Sequence, residues 1–166
     1  IELLQPFASQ IKTKKQKGLV IEPAEDEVSQ EDKDLVTELV IKDFQKQLLA
    51  NPKAMEYLKN RGIEGEIITR FRIGYCDGKS LVEKCGKKQK EILKAIGFIK
   101  EYKGYLKEHF AGYIIFPVFK EDGRVGEVYG RRIIDKKPKH LYLEGPHRGI
   151  FNYKALKVYD EILLTE

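Results

Sequence analysis

The sequence predicts an α+β fold: N-terminal helices packed on a small, mostly antiparallel sheet. Three observations point to it. Leu35, Leu39, Phe44, Leu48 and Leu49 recur at roughly helical spacing. GYIIFPVF, residues 112–119, is a β-rich apolar run with EDGR as the turn behind it and RVGEVYGRRII as its antiparallel partner. The helical patterns mostly precede the strand patterns, the order of an α+β chain and not of a βαβ repeat.

Residues 9–33, SQIKTKKQKGLVIEPAEDEVSQEDK, pass from a basic to an acidic cluster without an apolar period, so residues 1–33 read as a linker or arm. The body of the domain runs over 34–160. Asn51-Pro52 interrupts the first helix and opens a second carrying Ala54, Met55, Tyr57 and Leu58, which Arg61-Gly62 ends. A short third helix over 64–71 leads into RIGYC, a strand. KSLVEKCG and KKQKEILKAIGF give two more short helices, the second stopped by Gly97. HLYLEG, 140–145, adds a third strand to the sheet, and EILLTE, 161–166, reads as a buried strand.

Composition narrows the function. No run approaches the roughly 20 apolar residues of a spanning helix, and the first 18 residues lack a secretory pattern, so a cytoplasmic protein without a membrane partner is expected. Cys76 and Cys85 form no CxxC pair, and His109, His140 and His147 are scattered, so no zinc site is spelled out. Residues 1–60 hold 9 Lys and Arg against 11 Asp and Glu, whereas 61–166 hold 22 against 15. That asymmetry points the second part of the chain toward a polyanion.

The cations concentrate in GRVGEVYGRRIIDKKPKHLYLEG, residues 123–145. Gly123 and Gly126 flank a turn, and Gly130 thins the backbone before Arg131 and Arg132, whose guanidinium forks suit phosphate oxygens. Strand alternation lets only one of the two arginines face a ligand. In PKHLYLEG, Lys139 offers a point charge, and His140 or Tyr142 offers a ring on which a base of a single strand can stack; an edge strand with alternating faces explains the same pattern. Glu166, at the end of the last strand, is placed to hold Mg²⁺, although one carboxylate does not make a two-metal site. Nucleophilic catalysis is not indicated, because Ser9, Ser29 and Ser80 lack an elbow-like setting.

Four ordered segments resemble one family. AMEYLKNRGIEGEIITRFRIGY, 54–75, is similar to the YL-x-x-RGI and F-x-IGY elements near the start of the polymerase core of bacterial, DnaG-type DNA primases. IIFPVFKEDGRVGEVYGRR resembles that family's FP, D-x-x-G-R-V and G-R elements, PKHLYLEGPHRGIFN its PKYLNSP…IF element, and EILLTE the first strand of its Toprim fold. The resemblance implies a core subdomain that binds template and nucleotide, with 161–166 beginning a Toprim-like α/β subdomain. The implied activity is synthesis of short RNA primers on single-stranded DNA during DNA replication. The implied partners are template, nucleoside triphosphates and RNA primer, with a replicative helicase as a further partner; the implied cofactor is Mg²⁺ or Mn²⁺. A non-catalytic single-stranded-DNA-binding module of a primase-like or primase-helicase protein is the alternative.

Residue by residue, Arg131 matches the arginine of the family's GGR element and Lys139 the lysine of PKY. Glu166 matches the Toprim glutamate, the catalytic and metal-binding position, and Arg61 lies in RGI, an element more structural than catalytic. Departures stand beside these matches. His109 and Ala111 occupy positions before the FP strand where the family often has arginines, Tyr142 replaces the PKYLN asparagine, and Glu127-Val128 replaces a GF pair. The resemblance therefore points to a divergent member of phage, plasmid or primase-helicase kind.

Overall fold

The computed structural model describes residues 28–163. Helix α1, Gln30–Leu49, starts where the Ser29 hydroxyl accepts a hydrogen bond from the Asp32 amide at 3.1 Å, with Glu31 and Asp32 at its positive end. Its buried face is Val36, Val40, Ile41, Phe44 and Leu48, whereas Leu49 is 71% exposed. The stripe read from the leucines is thus shifted, because α1 lies between the sheet and a second helix and buries its β-branched residues there. Helix α2, Pro52–Lys59, is opened by the Asn51 side chain accepting from the Ala54 amide at 3.1 Å. Helix α3, Glu66–Arg70, leads into strand β1, Gly74–Cys76.

Helices α4, Ser80–Lys84, and α5, Lys87–Ile96, follow, and Gly97 ends α5 with a left-handed φ of 98°. A hairpin that the sequence reading missed comes next: β2, Ile99–Tyr102, and β3, Tyr105–Glu108, pair antiparallel around Lys103-Gly104. Both turn residues have positive φ, the pattern of a two-residue hairpin turn, so the Lys-Gly pair between IKEY and YLKE was the available signal.

Strands β4, Tyr113–Phe119, β5, Val125–Arg132, and β6, His140–Tyr142, complete the main sheet, which is antiparallel in the order β1-β4-β5-β6. The third expected strand is thus shorter than HLYLEG. A one-turn helix α6, Ala155–Val158, lies in the segment after it. The buried strand expected over EILLTE does not form in its described part: Leu163 is 95% exposed, since no described element packs on it, and residues 164–166, Glu166 included, fall outside the described residues.

Strand β4 is covered on both faces, which is why its sequence is apolar without alternation. Its Tyr113 and Ile115 join Phe44, Leu93, Phe98, Phe110 and Val128 on the α1 side. Ile114 points the other way, into Leu48, Ala54, Leu58, Ile68 and Ile73, a second core built by α2 and α3. Glycines permit the closest approaches. A Cβ on Gly74 would lie 2.6 Å from the Phe44 Cβ, and one on Gly130 would lie 2.6 Å from the Phe110 ring. A Cβ on Gly126 would lie 2.9 Å from the Arg148 carbonyl oxygen. Gly126 and Gly130 therefore make room for the protein's own core and backbone, and not for a ligand as the sequence suggested.

Glu108 is buried and ties three elements together. Its Oε1 accepts from the Leu81 and Val82 amides at 2.7 and 3.2 Å, satisfying the start of α4, and the Cys76 thiol donates to Oε2 at 3.1 Å. Burial raises the pKa of the carboxyl, only partly offset by these donors, and raises that of Cys76 as well. Cys85, also buried, has its pKa pushed up to about 11.

Two expectations follow from this packing. Gly74→Ala should lower stability by about 1–3 kcal/mol, because the contact is with helix α1 itself and not with a flexible tip; urea denaturation checks it. Glu108→Ala should leave two amides without an acceptor at a cost of about 1–3 kcal/mol, with Glu108→Gln much milder. Because the folded-state pKa of Glu108 is raised, its ionisation costs stability as pH rises through that value. The Gln variant should lose less stability on that rise, as denaturation midpoints across the acid range would show.

Candidate nucleic-acid interface

The sheet face turned away from α1 is only partly covered. Helices α2 and α3 shield Ile114, and beyond them strand alternation brings Phe116, Tyr129 and Tyr142 into one cross-strand row. Their rings stand 5.7 Å apart between Phe116 and Tyr129 and 5.1 Å between Tyr129 and Tyr142, and Tyr142 is 44% exposed. With Val118, Glu127, His147, Gly149 and Phe151 they line an open depression of about 580 Å³. His147 meets the Tyr142 ring edge-on at 4.8 Å and pairs through Nδ1 with Glu127.

The next cross-strand row is Ile114, Arg131 and His140. The His140 ring stacks on Tyr129 at 5.8 Å, its Nδ1 lies 2.7 Å from the Tyr129 hydroxyl, and its Nε2 faces the Arg131 guanidinium. Tyr57 stands beside Arg131 and raises the arginine pKa, and Arg61 lies 4.9 Å over the Tyr57 ring. Arg131 from β5 and Arg61 from the turn after α2 thus form the cationic rim of a sheet-borne aromatic surface.

The structure brings together Arg131, His140 and Tyr142 and separates them from the other expected site residues. Arg132 points to the α1 side, where its guanidinium lies 4.4 Å over the Tyr113 ring and donates to the Tyr113 hydroxyl at 2.7 Å and to the Pro138 carbonyl at 3.1 Å. The same hydroxyl donates to the Pro138 carbonyl at 2.7 Å. Arg132 therefore anchors the 133–139 loop. Lys139 shares by alternation the face of Leu141, which packs on the α1-side core, and it pairs with Asp135 at 2.8 Å. That exposed pair holds the lysine only weakly.

His109 is half-buried behind β6 and its Nε2–H donates to the Tyr142 carbonyl at 2.8 Å. Burial lowers its pKa, the bond to Tyr142 opposing the shift. It steadies the backbone that carries Tyr142 and does not itself reach the open face. Sequence reasoning passed over Tyr57, Phe116, Tyr129 and Phe151; the i, i+2 spacing of Tyr129 and Arg131 was the signal that would have found Tyr129.

No three His, Cys, Asp or Glu side chains converge to hold a metal ion among the described residues, and no described helix is long and apolar enough to cross a membrane. The described residues thus do not supply the donor set a Mg²⁺ centre needs.

An α+β fold with helices on both sides of a four-stranded antiparallel sheet is the architecture of the leading part of primase catalytic cores. A solved catalytic domain of the DnaG primase bound to single-stranded DNA superposes with a TM-score of 0.66 at 23% identity, over 78% of this chain and 46% of that one. The Aquifex aeolicus primase, solved with its zinc-binding and RNA polymerase domains, gives 0.62 at 26% identity over 75% of this chain and 32% of that one. The family model described as the DNA primase catalytic core, N-terminal domain, matches residues 43–161. The chain belongs to that family. The DNA primases of Legionella pneumophila and Haemophilus influenzae are each 35% identical to it, over 119 and 131 residues, covering 70% and 71% of this chain. The chain spans about a fifth of the length of these curated relatives, 20% and 22%.

Arg132→Ala should destabilise the fold by about 1–3 kcal/mol, because it leaves a half-buried hydroxyl and a carbonyl short of donors. Arg131→Ala, at the open face, should lie within about 0.5 kcal/mol of the parent. Thermal or urea unfolding of the pair distinguishes the arginine that holds the loop from the one that faces outward.

Proposed function

We propose that this chain is the template-facing part of a DNA primase, and that the protein containing it makes short RNA primers on single-stranded DNA. The observation that carries the reading is the open row Phe116, Tyr129, Tyr142 with Arg131 and His140 beside it. Stacked rings accept the faces of successive bases whatever their identity, and a guanidinium at the edge of the row binds the connecting phosphate. The row is an open surface and not an enclosed pocket, which suits a strand passing over it. The family membership and the strand-bound structure of a similar primase domain support the same direction.

Within this reading Arg131 is the principal phosphate contact, His140 and Tyr142 are stacking groups, and Lys139 is a weakly tethered cation for a more distant phosphate. His109 and Arg132 act through the backbone they hold. Nucleoside triphosphates and the growing primer are the further ligands of the whole protein, and a replicative helicase is its partner. Glu166 is proposed as one Toprim carboxylate of a Mg²⁺ or Mn²⁺ centre, which when bound stabilises the attacking and leaving oxygens of phosphoryl transfer.

Fluorescence anisotropy with labelled oligothymidylate tests the reading. Affinity should fall steeply as salt rises, because each phosphate contact releases counterions. Tyr129→Ala and Tyr142→Ala should each cost about 1–3 kcal/mol of binding, the range for one stacked base. Affinity that is flat in salt and indifferent to both substitutions would overturn it. In the full-length protein, Glu166→Gln should abolish primer synthesis while template binding persists; retained synthesis would remove Glu166 from the metal centre.

A further inference from the structure

We infer that His140 is a positioning residue for Arg131: neutral, it latches the guanidinium at the edge of the aromatic row, and protonated, it releases the arginine and joins it in holding a phosphate. The inference rests on the proposed strand-binding role of this face, which supplies the phosphate.

The hydrogen-bond inventory fixes the resting state. A guanidinium only donates, so the Nε2 that faces Arg131 must carry a lone pair. A neutral imidazole then has its proton on Nδ1, where it donates to the Tyr129 hydroxyl oxygen at 2.7 Å. That leaves the Tyr129 hydroxyl hydrogen free to turn outward. Stacking on Tyr129 at 5.8 Å, with ring planes 26° apart, holds the imidazole flat on the sheet and keeps Nε2 aimed at the guanidinium.

Adding a proton to Nε2 reverses the contact. Two N–H groups then face each other, both carrying positive charge, and the bond to Arg131 is lost. An anionic oxygen placed between them accepts from both. Binding of a phosphodiester at this point therefore takes up one proton from solvent, and acid conditions strengthen it.

The groups that face His140 fit such a site. From β5 come Arg131 and Tyr129, from α2 comes Tyr57, beside Arg131, and from the turn after α2 comes Arg61 above the Tyr57 ring. On β6 itself Tyr142 shares the face, followed by His147, which is paired with Glu127. Lys139 and its partner Asp135 lie toward the opposite face. No carboxylate among these is bonded to His140 to hold it protonated in the absence of ligand, so an incoming phosphate is the anion available to it.

The test is oligothymidylate affinity at constant ionic strength from about pH 8 to about pH 5.5, a range in which thymine does not titrate. The parent should bind more tightly as pH falls, with one linked proton setting a ceiling of about tenfold per pH unit. H140Q, which keeps an acceptor for Arg131 but gains no charge, should lose most of that slope, and R131A should lose both slope and affinity. H109Q and H147Q should retain the slope, which assigns it to His140 and not to the other two imidazoles. Nitrogen NMR of the free protein at about pH 8 should find the His140 proton on Nδ1. Affinity that is invariant with pH, a slope that survives in H140Q, or a proton on Nε2 at pH 8 would overturn the latch alone. Absence of oligothymidylate binding by the parent at every pH would overturn the strand-binding reading and the coupling with it.

Discussion

Everything in this domain depends on the two-sided burial of β4. Adjacent residues of one strand, Ile114 and Ile115, are both fully buried but in different cores, the first under α2 and α3 and the second under α1. A strand covered on both faces fixes the position of the helices on either side, so the two cores cannot shift independently. Gly74, opposite Ile115, lets α1 come close enough to seal the α1 side; any side chain there would collide with Phe44. The strand pairing, the helix approach and the missing Cβ form one constraint.

The open face follows from where that burial stops. Helices α2 and α3 are short, eight and five residues, and cover the sheet only near β1 and Ile114. Farther along the same face the strands continue without a helix above them, and alternation sets Phe116, Tyr129, Tyr142, Arg131 and His140 on that face together, with Tyr142 and His140 exposed and the others partly so. Rings clustered on one face of a rigid sheet and left partly exposed are the kind of surface a ligand can cover. The back of the sheet keeps this surface in place. Arg132 and Tyr113 clasp the Pro138 carbonyl, and His109 holds the Tyr142 carbonyl, so β6 is fastened from behind at both ends.

The pair Arg131-Arg132 shows how one sequence feature divides between stability and recognition. Neighbouring residues in a strand point to opposite faces, and here each face has its own demand. One guanidinium is used on a phenol and a carbonyl inside the fold; the other sits against an imidazole and a phenol at the surface. Glu108 serves a comparable internal purpose, where a buried carboxyl group meets the amides of a short helix and a thiol, joining the β2-β3 hairpin to the body.

The sequence by itself determined the α+β class, the helices from residue 34 to 96, the β4-β5 hairpin and the family, because these rest on local periodicity, on Asn51, Gly97 and the EDGR turn, and on four ordered motifs. It also determined that Arg131 and Arg132 would stand on opposite faces of the sheet, since alternation is a local property of a strand. Which one lies on the open face was decided by tertiary structure, through the side of the sheet that α1 occupies. The same holds for Gly130, whose thin backbone serves Phe110, and for Lys139, which alternation sets on the face opposite His140. Tyr57 and Tyr129 stand more than seventy residues apart, and only folding brings both to Arg131. Contacts between such distant positions leave no period in the chain, so the rim and latch of the candidate site became visible only once the sheet and helices were in place.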